Sequence, residues 1–183
     1  MLQPDFSIFP EIETERLLLR KVSVTDAPAI LQLRGNEQVM RYIGKERAIT
    51  IPDAEAFINR IIQSLNINDG ITWAITLKED PDTLIGTIGF WRIIKEHHRA
   101  EIGYMLNPSH WKKRLMKEAL AYVIDTGFGL LQLHTIEANV NPENLASVGI
   151  LTNAGFIKEA HFKENYFFNG SFSDTAVYSK FRQ

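Results

Sequence analysis

No cysteine occurs among the 183 residues. That excludes a disulfide framework, thiolate zinc sites, iron–sulfur clusters and a cysteine nucleophile, so any thiol chemistry has to arrive with a bound molecule. A run of about 18 apolar residues is also missing, and no transmembrane helix is expected. The opening Met1-Leu2-Gln3-Pro4-Asp5-Phe6 lacks the basic start and apolar core of a signal peptide, which predicts a soluble cytoplasmic protein. Neither sign of charge dominates. With 20 Lys and Arg against 22 Asp and Glu, the net charge of −2 provides no basic field to draw in nucleic acid. Metal-ligand spacing is absent from His97, His98, His110, His134 and His161, and no metal site is assigned.

What is present suits one globular domain over residues 1–183. A chain of this length buries roughly 70% of its unfolded surface without a staple. Residues 1–13, with Pro4 and Pro10, read as an irregular lead-in. A short apolar run at 16–22 reads as a strand. Thr25-Asp26 before Ala27-Pro28 starts a helix that Gly35 ends, and a second begins near Pro52. Residues 71–77, 84–94 and 99–106 then form a meander of three strands joined by short turns. From Lys113 the period becomes 3.6, with Met116, Ala119, Leu120, Val123 and Ile124 along one stripe. A strand at 134–140, a helix at 144–154 and a hairpin turning at Asn169-Gly170 follow. The order is βααβββαβαββ, an α/β domain on a mixed sheet.

Two segments carry chemistry. The first, Asn107-Pro108-Ser109-His110-Trp111-Lys112-Lys113-Arg114-Leu115-Met116, joins a strand to the longest helical stripe. Such a loop aims unpaired N–H groups and the positive end of the helix dipole at an anion, typically a phosphate. Three cations in that place oppose the dipole and are easier to explain with an anion between them; by themselves they read more often as a solvated basic patch. The second is Pro142-Glu143-Asn144-Leu145-Ala146-Ser147, in which Asn144 is placed to cap a helix and Ser147 lies on its first turn.

Together these segments resemble the GNAT superfamily of acetyl-CoA-dependent N-acetyltransferases, and within it the ribosomal-protein N-terminal (alanine/serine) acetyltransferase-like branch. The resemblance runs from about Ile12 to Phe181. It includes Thr14-Glu15-Arg16-Leu17-Leu18-Leu19-Arg20, Gly86-Thr87-Ile88-Gly89-Phe90, Glu101-Ile102-Gly103-Tyr104-Met105-Leu106, Trp111 with Met116-Lys117-Glu118-Ala119, and Gly155-Phe156. It implies a mixed seven-stranded, mostly antiparallel sheet splayed between its fourth and fifth strands, with about four helices packed on it. Acetyl-CoA, the cosubstrate, would lie in that V. Its pyrophosphate would rest on Trp111, Lys112, Lys113, Arg114, Leu115 and Met116, and its pantetheine arm would pair with backbone along residues 102–106. Asn144 would touch the arm, Ser147 would face the sulfur, and N–H groups near Met105 and Leu106 would stabilise the thioester oxygen. The acceptor implied is a primary amine, either a peptide N-terminus or a small molecule. A homodimer, common in the family, is left open.

Two positions depart from the family pattern. The phosphate loop in this branch usually reads Trp-Gly-x-Gly, and here Lys112 and Arg114 replace both glycines. If the loop keeps helical dihedrals, side chains cost little there and binding survives, whereas a positive φ would lower the affinity or leave the site dead. The branch's glutamate base, three residues ahead of the Asn-Gly turn, falls on Tyr166, and a phenol titrating at about 10 is a poor base near neutrality. Glu101 and Glu137, on the strands flanking the expected V, become the base candidates, and Ser147 becomes the donor to the departing thiolate. Leu151 occupies the position of the tyrosine acid used by other branches. The expected function is acetyl transfer to an amine by direct attack in a ternary complex. The alternatives are a non-catalytic acyl-CoA-binding or regulatory module with a degenerate phosphate loop, and a phosphate-cradling nucleotide or nucleic-acid binder.

Overall fold

The computed structural model describes residues 1–183. Eight strands, β1 (Ile12–Glu13), β2 (Leu17–Lys21), β3 (Ile71–Leu77), β4 (Gly86–Ile94), β5 (Arg99–Leu106), β6 (Thr135–Val140), β7 (Ile157–Phe168) and β8 (Ser171–Phe181), form one sheet. Their order is β1-β2-β3-β4-β5-β6-β8-β7. The helices are α1 (Ala27–Gly35), α2 (Glu37–Met40), α3 (Ile51–Asn66), α4 (Leu115–Gly129) and α5 (Leu145–Asn153).

Local chemistry sets the helix starts. Asp53 accepts from the Thr50 N–H at 2.8 Å in a capping box just ahead of α3, and Pro52 fits the first turn because its missing N–H would have had no partner. Asn36 accepts from the N–H groups of Gln38 and Val39, adding the four-residue α2 that hydrophobic periodicity is too short to reveal. The eighth strand is a second correction to the sequence reading. β1 lies inside the lead-in and pairs Ile12 with Leu19 and Glu13 with Leu18. Two residues show no alternation, but the lead-in is fastened along its length. Leu2 and Phe6 are buried, and the Trp73 indole donates to the Pro10 carbonyl at 2.7 Å.

The alternation of strand side chains divides the core between the two faces of the sheet. On one face Leu17, Trp73, Ile88, Phe90, Ile102 and Leu106 pack against Leu120 and Val123 of α4 and Leu151 of α5. On the other, Ala74 and Met105 pack with Ile30 of α1 and Ile58 of α3. No helix is long and apolar enough to cross a membrane.

β5 and β6 are the only parallel neighbours, and they pair over just three positions: Arg99 with Thr135, Ala100 with Ile136 and Glu101 with Glu137. Beyond these the strands diverge, while β5 stays paired with β4 as far as Leu106. The splay lies between the two strands where the V was expected, which are the fifth and sixth once β1 is counted. The consequence is a strand edge with unspent backbone groups facing a gap.

Candidate functional site

The loop before α4 adopts glycine-type geometry without glycine. Lys112 has φ of 60° and Arg114 of 63°, so the positive-φ alternative is the one realised, with strain of about 1–2 kcal/mol at each residue. Lys112, Lys113 and Arg114 are all exposed. Arg114 supplies no side-chain cap, which leaves the N–H groups of Leu115, Met116 and Lys117 pointing out of the first turn of α4. The His110 Nδ1 is buried without a partner, and burial together with the Lys113 charge pushes this imidazole below its ordinary value. Free N–H groups and three cations in one loop match the needs of a pyrophosphate.

The loop is held from behind. Trp111 donates its indole N–H to the Leu106 carbonyl at 2.7 Å, and the Arg16 guanidinium donates to the Lys113 carbonyl at 3.1 Å. Arg16 also pairs with Glu118 in α4 at 2.6 Å, and the Thr14 hydroxyl donates to the same carboxylate. Burial alone would raise the Glu118 pKa, but the bonds from Thr14 and Arg16 outweigh it and hold this carboxyl below the usual range. Thr14 and Arg16, noted in the sequence only as part of a motif, thus brace this loop from the turn between β1 and β2.

In the gap itself, the Asn107 N–H bonds the Ile85 carbonyl. Alternation along an antiparallel ladder then turns the backbone groups of Met105 toward β4 and those of Tyr104 and Leu106 toward the gap. Of the two N–H groups expected to face the thioester, that of Leu106 therefore faces the gap and that of Met105 does not, while that of Tyr104 does. Met105 instead sends its side chain to the α1–α3 face.

At the start of α5 the Asn144 carboxamide oxygen accepts from the Ser147 N–H at 3.1 Å, a cap that fixes Ser147 on the first turn. The Ser147 hydroxyl lies 2.7 Å from the hydroxyl of Tyr104. Burial pushes this phenol up to about 12, so it stays protonated and available as a donor. Sequence reasoning missed Tyr104, because an aromatic residue on a strand reads as core.

Glu101 and Glu137 are register partners at the last paired position before the gap, yet their surroundings differ. Glu137 is committed to Arg99 at 2.9 Å. Glu101 is 7% exposed and lies 3.7 Å from Arg92. Burial raises its pKa most, the Asn139 side-chain bond and the Arg92 charge lower it in part, and the Glu137 charge raises it again; the net shift is upward. Glu101 and Asn139 line a cavity of about 880 Å³ walled by residues 41–45, Trp91 and the β7–β8 hairpin; Glu137 does not line it. Tyr166, at the position of the branch's base, donates to the Gly44 carbonyl at 2.6 Å.

The faces of β5 sort these groups. Glu101, Gly103 and Met105 lie on the α1–α3 side, whereas Ile102, Tyr104 and Leu106 lie on the α4–α5 side with Ser147. The gap between β5 and β6 connects the two.

Residues 16–157 match the family model described as an acetyltransferase (GNAT) domain. The chain is 39% identical over 172 residues to the uncharacterised N-acetyltransferase YoaA of Bacillus subtilis, spanning 94% of this chain and 97% of that one. Its fold superposes on a GNAT-family acetyltransferase from Bacillus anthracis with a TM-score of 0.82 at 29% identity, covering 94% and 98% of the two chains. A spermidine N-acetyltransferase from Vibrio cholerae, solved with CoA and spermine, gives a TM-score of 0.80 at 25% identity over 90% and 95%.

Proposed function

The chain belongs to the GNAT acetyltransferase family and is an acetyl-CoA-dependent acyltransferase; from that premise we propose that it acetylates a primary amine by direct attack within a ternary complex. One observation supports this reading above the rest. A buried carboxylate and a part-buried hydroxyl pair lie on opposite faces of one strand, at the gap where that strand leaves its neighbour.

Acetyl-CoA supplies the activated acetyl group, with Lys112, Lys113, Arg114 and the first-turn N–H groups of α4 as its phosphate ligands and the gap-facing backbone of β5 along its arm. Glu101 takes the proton of the amine that enters the cavity on the α1–α3 face. The upward shift of its pKa and the desolvation of the ammonium narrow the gap between base and acid from both sides. As the new C–N bond forms, one gap-facing N–H group of β5, that of Tyr104 or of Leu106, donates to the thioester oxygen. As the C–S bond breaks, Ser147 donates its hydroxyl hydrogen to the departing thiolate, and Tyr104, donating to the Ser147 oxygen, sets the direction of that hydrogen. The acceptor is the free amine of a peptide N-terminus or of a small molecule, the second in keeping with the spermidine enzyme named above.

Initial rates of CoA release with both substrates varied are expected to give intersecting reciprocal plots. Parallel plots would overturn direct attack. Ser147→Ala is expected to lower kcat about tenfold with little change in the KM for acetyl-CoA, the size of one hydrogen bond to a charged group. Tyr104→Phe lowers it less, and because Tyr104 acts through Ser147, the double variant is no worse than Ser147→Ala alone. Losses that multiply would contradict the positioning role.

A further inference from the structure

The cavity on the α1–α3 face has two walls that are distant in sequence. Residues 41–45 follow α2, and the β7–β8 hairpin closes the chain. One side chain hydrogen bond joins them, from the Tyr166 hydroxyl to the Gly44 carbonyl. The contact is steric as well as polar. Gly44 has φ of 64°, and a Cβ built there would lie 2.5 Å from the Tyr166 ring carbon Cε1. The ring therefore rests on the one residue type that leaves it room, with one flank exposed and the other over the cavity. The same cavity is lined by the rings of Trp91, Phe162 and Phe168 and by Glu101.

We infer that Tyr166 is a specificity-determining residue: tied to Gly44, it roofs the acceptor cavity and admits slender, unbranched primary amines that enter end-on. The inference rests on the acetyl-transfer reading of this cavity and narrows its acceptor. An unbranched methylene chain passes under the bridge and lies along the rings, with its ammonium reaching Glu101. An amine branched at the α-carbon requires the bridge to open. One neutral hydrogen bond is worth a factor of about 2–12, so opening is costly enough to discriminate and cheap enough to reverse.

The test compares kcat/KM for n-pentylamine and cyclohexylamine, which have similar basicity and different girth, in wild type, Tyr166→Phe and Gly44→Ala. Wild type is expected to favour the linear amine by more than tenfold, and each variant to shrink that ratio about fivefold, the worth of the lost bond. Adding 1,4-diaminobutane and triglycine amide, both unbranched at the amine-bearing carbon, separates a small-molecule acceptor from a peptide one. Tryptic cleavage after Arg41, Lys45 and Arg47 in the native protein reads the bridge without activity and is expected to speed up by a similar factor in both variants. A ratio that neither variant changes, or equal use of both amines by wild type, overturns the inference. Failure of wild type to acetylate any amine overturns the acetyl-transfer reading and its acceptor class together. The tryptic rates then still decide whether the bridge closes the cavity.

Discussion

Glu101→Gln is expected to lower kcat/KM for amine acetylation by about 10²–10³-fold while the protein stays folded. Glutamine matches glutamate in size, so the buried site is not emptied. It cannot take a proton. The activity that remains comes from holding the amine beside the thioester, which needs no base. Glu137→Gln, one strand away, separates base from bystander. Its loss strands Arg99, whose partner it is at 2.9 Å, and removes a negative neighbour that raises the Glu101 pKa. The expected result is a loss in kcat/KM under tenfold. A loss in Glu137→Gln as large as that in Glu101→Gln would move the base to β6.

The second large effect is on the loop before α4, and its two parts have opposite signs. Lys112→Gly with Arg114→Gly puts the family's residues back at two positions held at φ of 60° and 63°. Relief of strain at two sites, less the added chain entropy of two glycines, is expected to stabilise the fold by about 1–2 kcal/mol. That raises Tm by roughly 3–6 °C in a chain of this size. Acetyl-CoA binding is expected to weaken about 100-fold, because two cations leave the pyrophosphate at roughly tenfold each. Thermal melting and calorimetric titration of the same preparation check both. Tighter binding in the double variant would show that the side chains crowd the phosphate rather than hold it.

The contrast explains why the loop's charge was legible in the sequence and its geometry was not. Cations against a helix dipole show in the residue order at 112–114, whereas a positive φ on lysine and arginine leaves no mark there. Helix starts were legible because their signals are local: Pro28 and Pro52 stand in first turns beside Asp26 and Asp53. The V was legible through family resemblance. β1 was not, since two residues hold no period and its pairing with β2 is set by the tertiary fold. The contacts of Tyr104 and Tyr166 were not legible for a common reason. Each meets its partner far along the chain, Ser147 at a separation of 43 residues and Gly44 at 122, and no local pattern carries such a contact. Between Glu101 and Glu137 the sequence offered no choice, because both sit on strands at the V; burial and the Arg99 pairing distinguish them.

The most direct measurement is the pH dependence of kcat/KM for one linear amine in wild type and Glu101→Gln. A protonated Glu101 cannot accept the amine's proton, so activity is lost as pH falls through its pKa and is present above it. Burial puts that pKa above the ordinary carboxylate value. The expected wild-type profile therefore has an acid limb displaced upward from the ordinary carboxylate range, and the limb is gone in Glu101→Gln, leaving only the slope of the amine's own ionisation. The same limb at the same pH in Glu101→Gln would show that another group takes the proton.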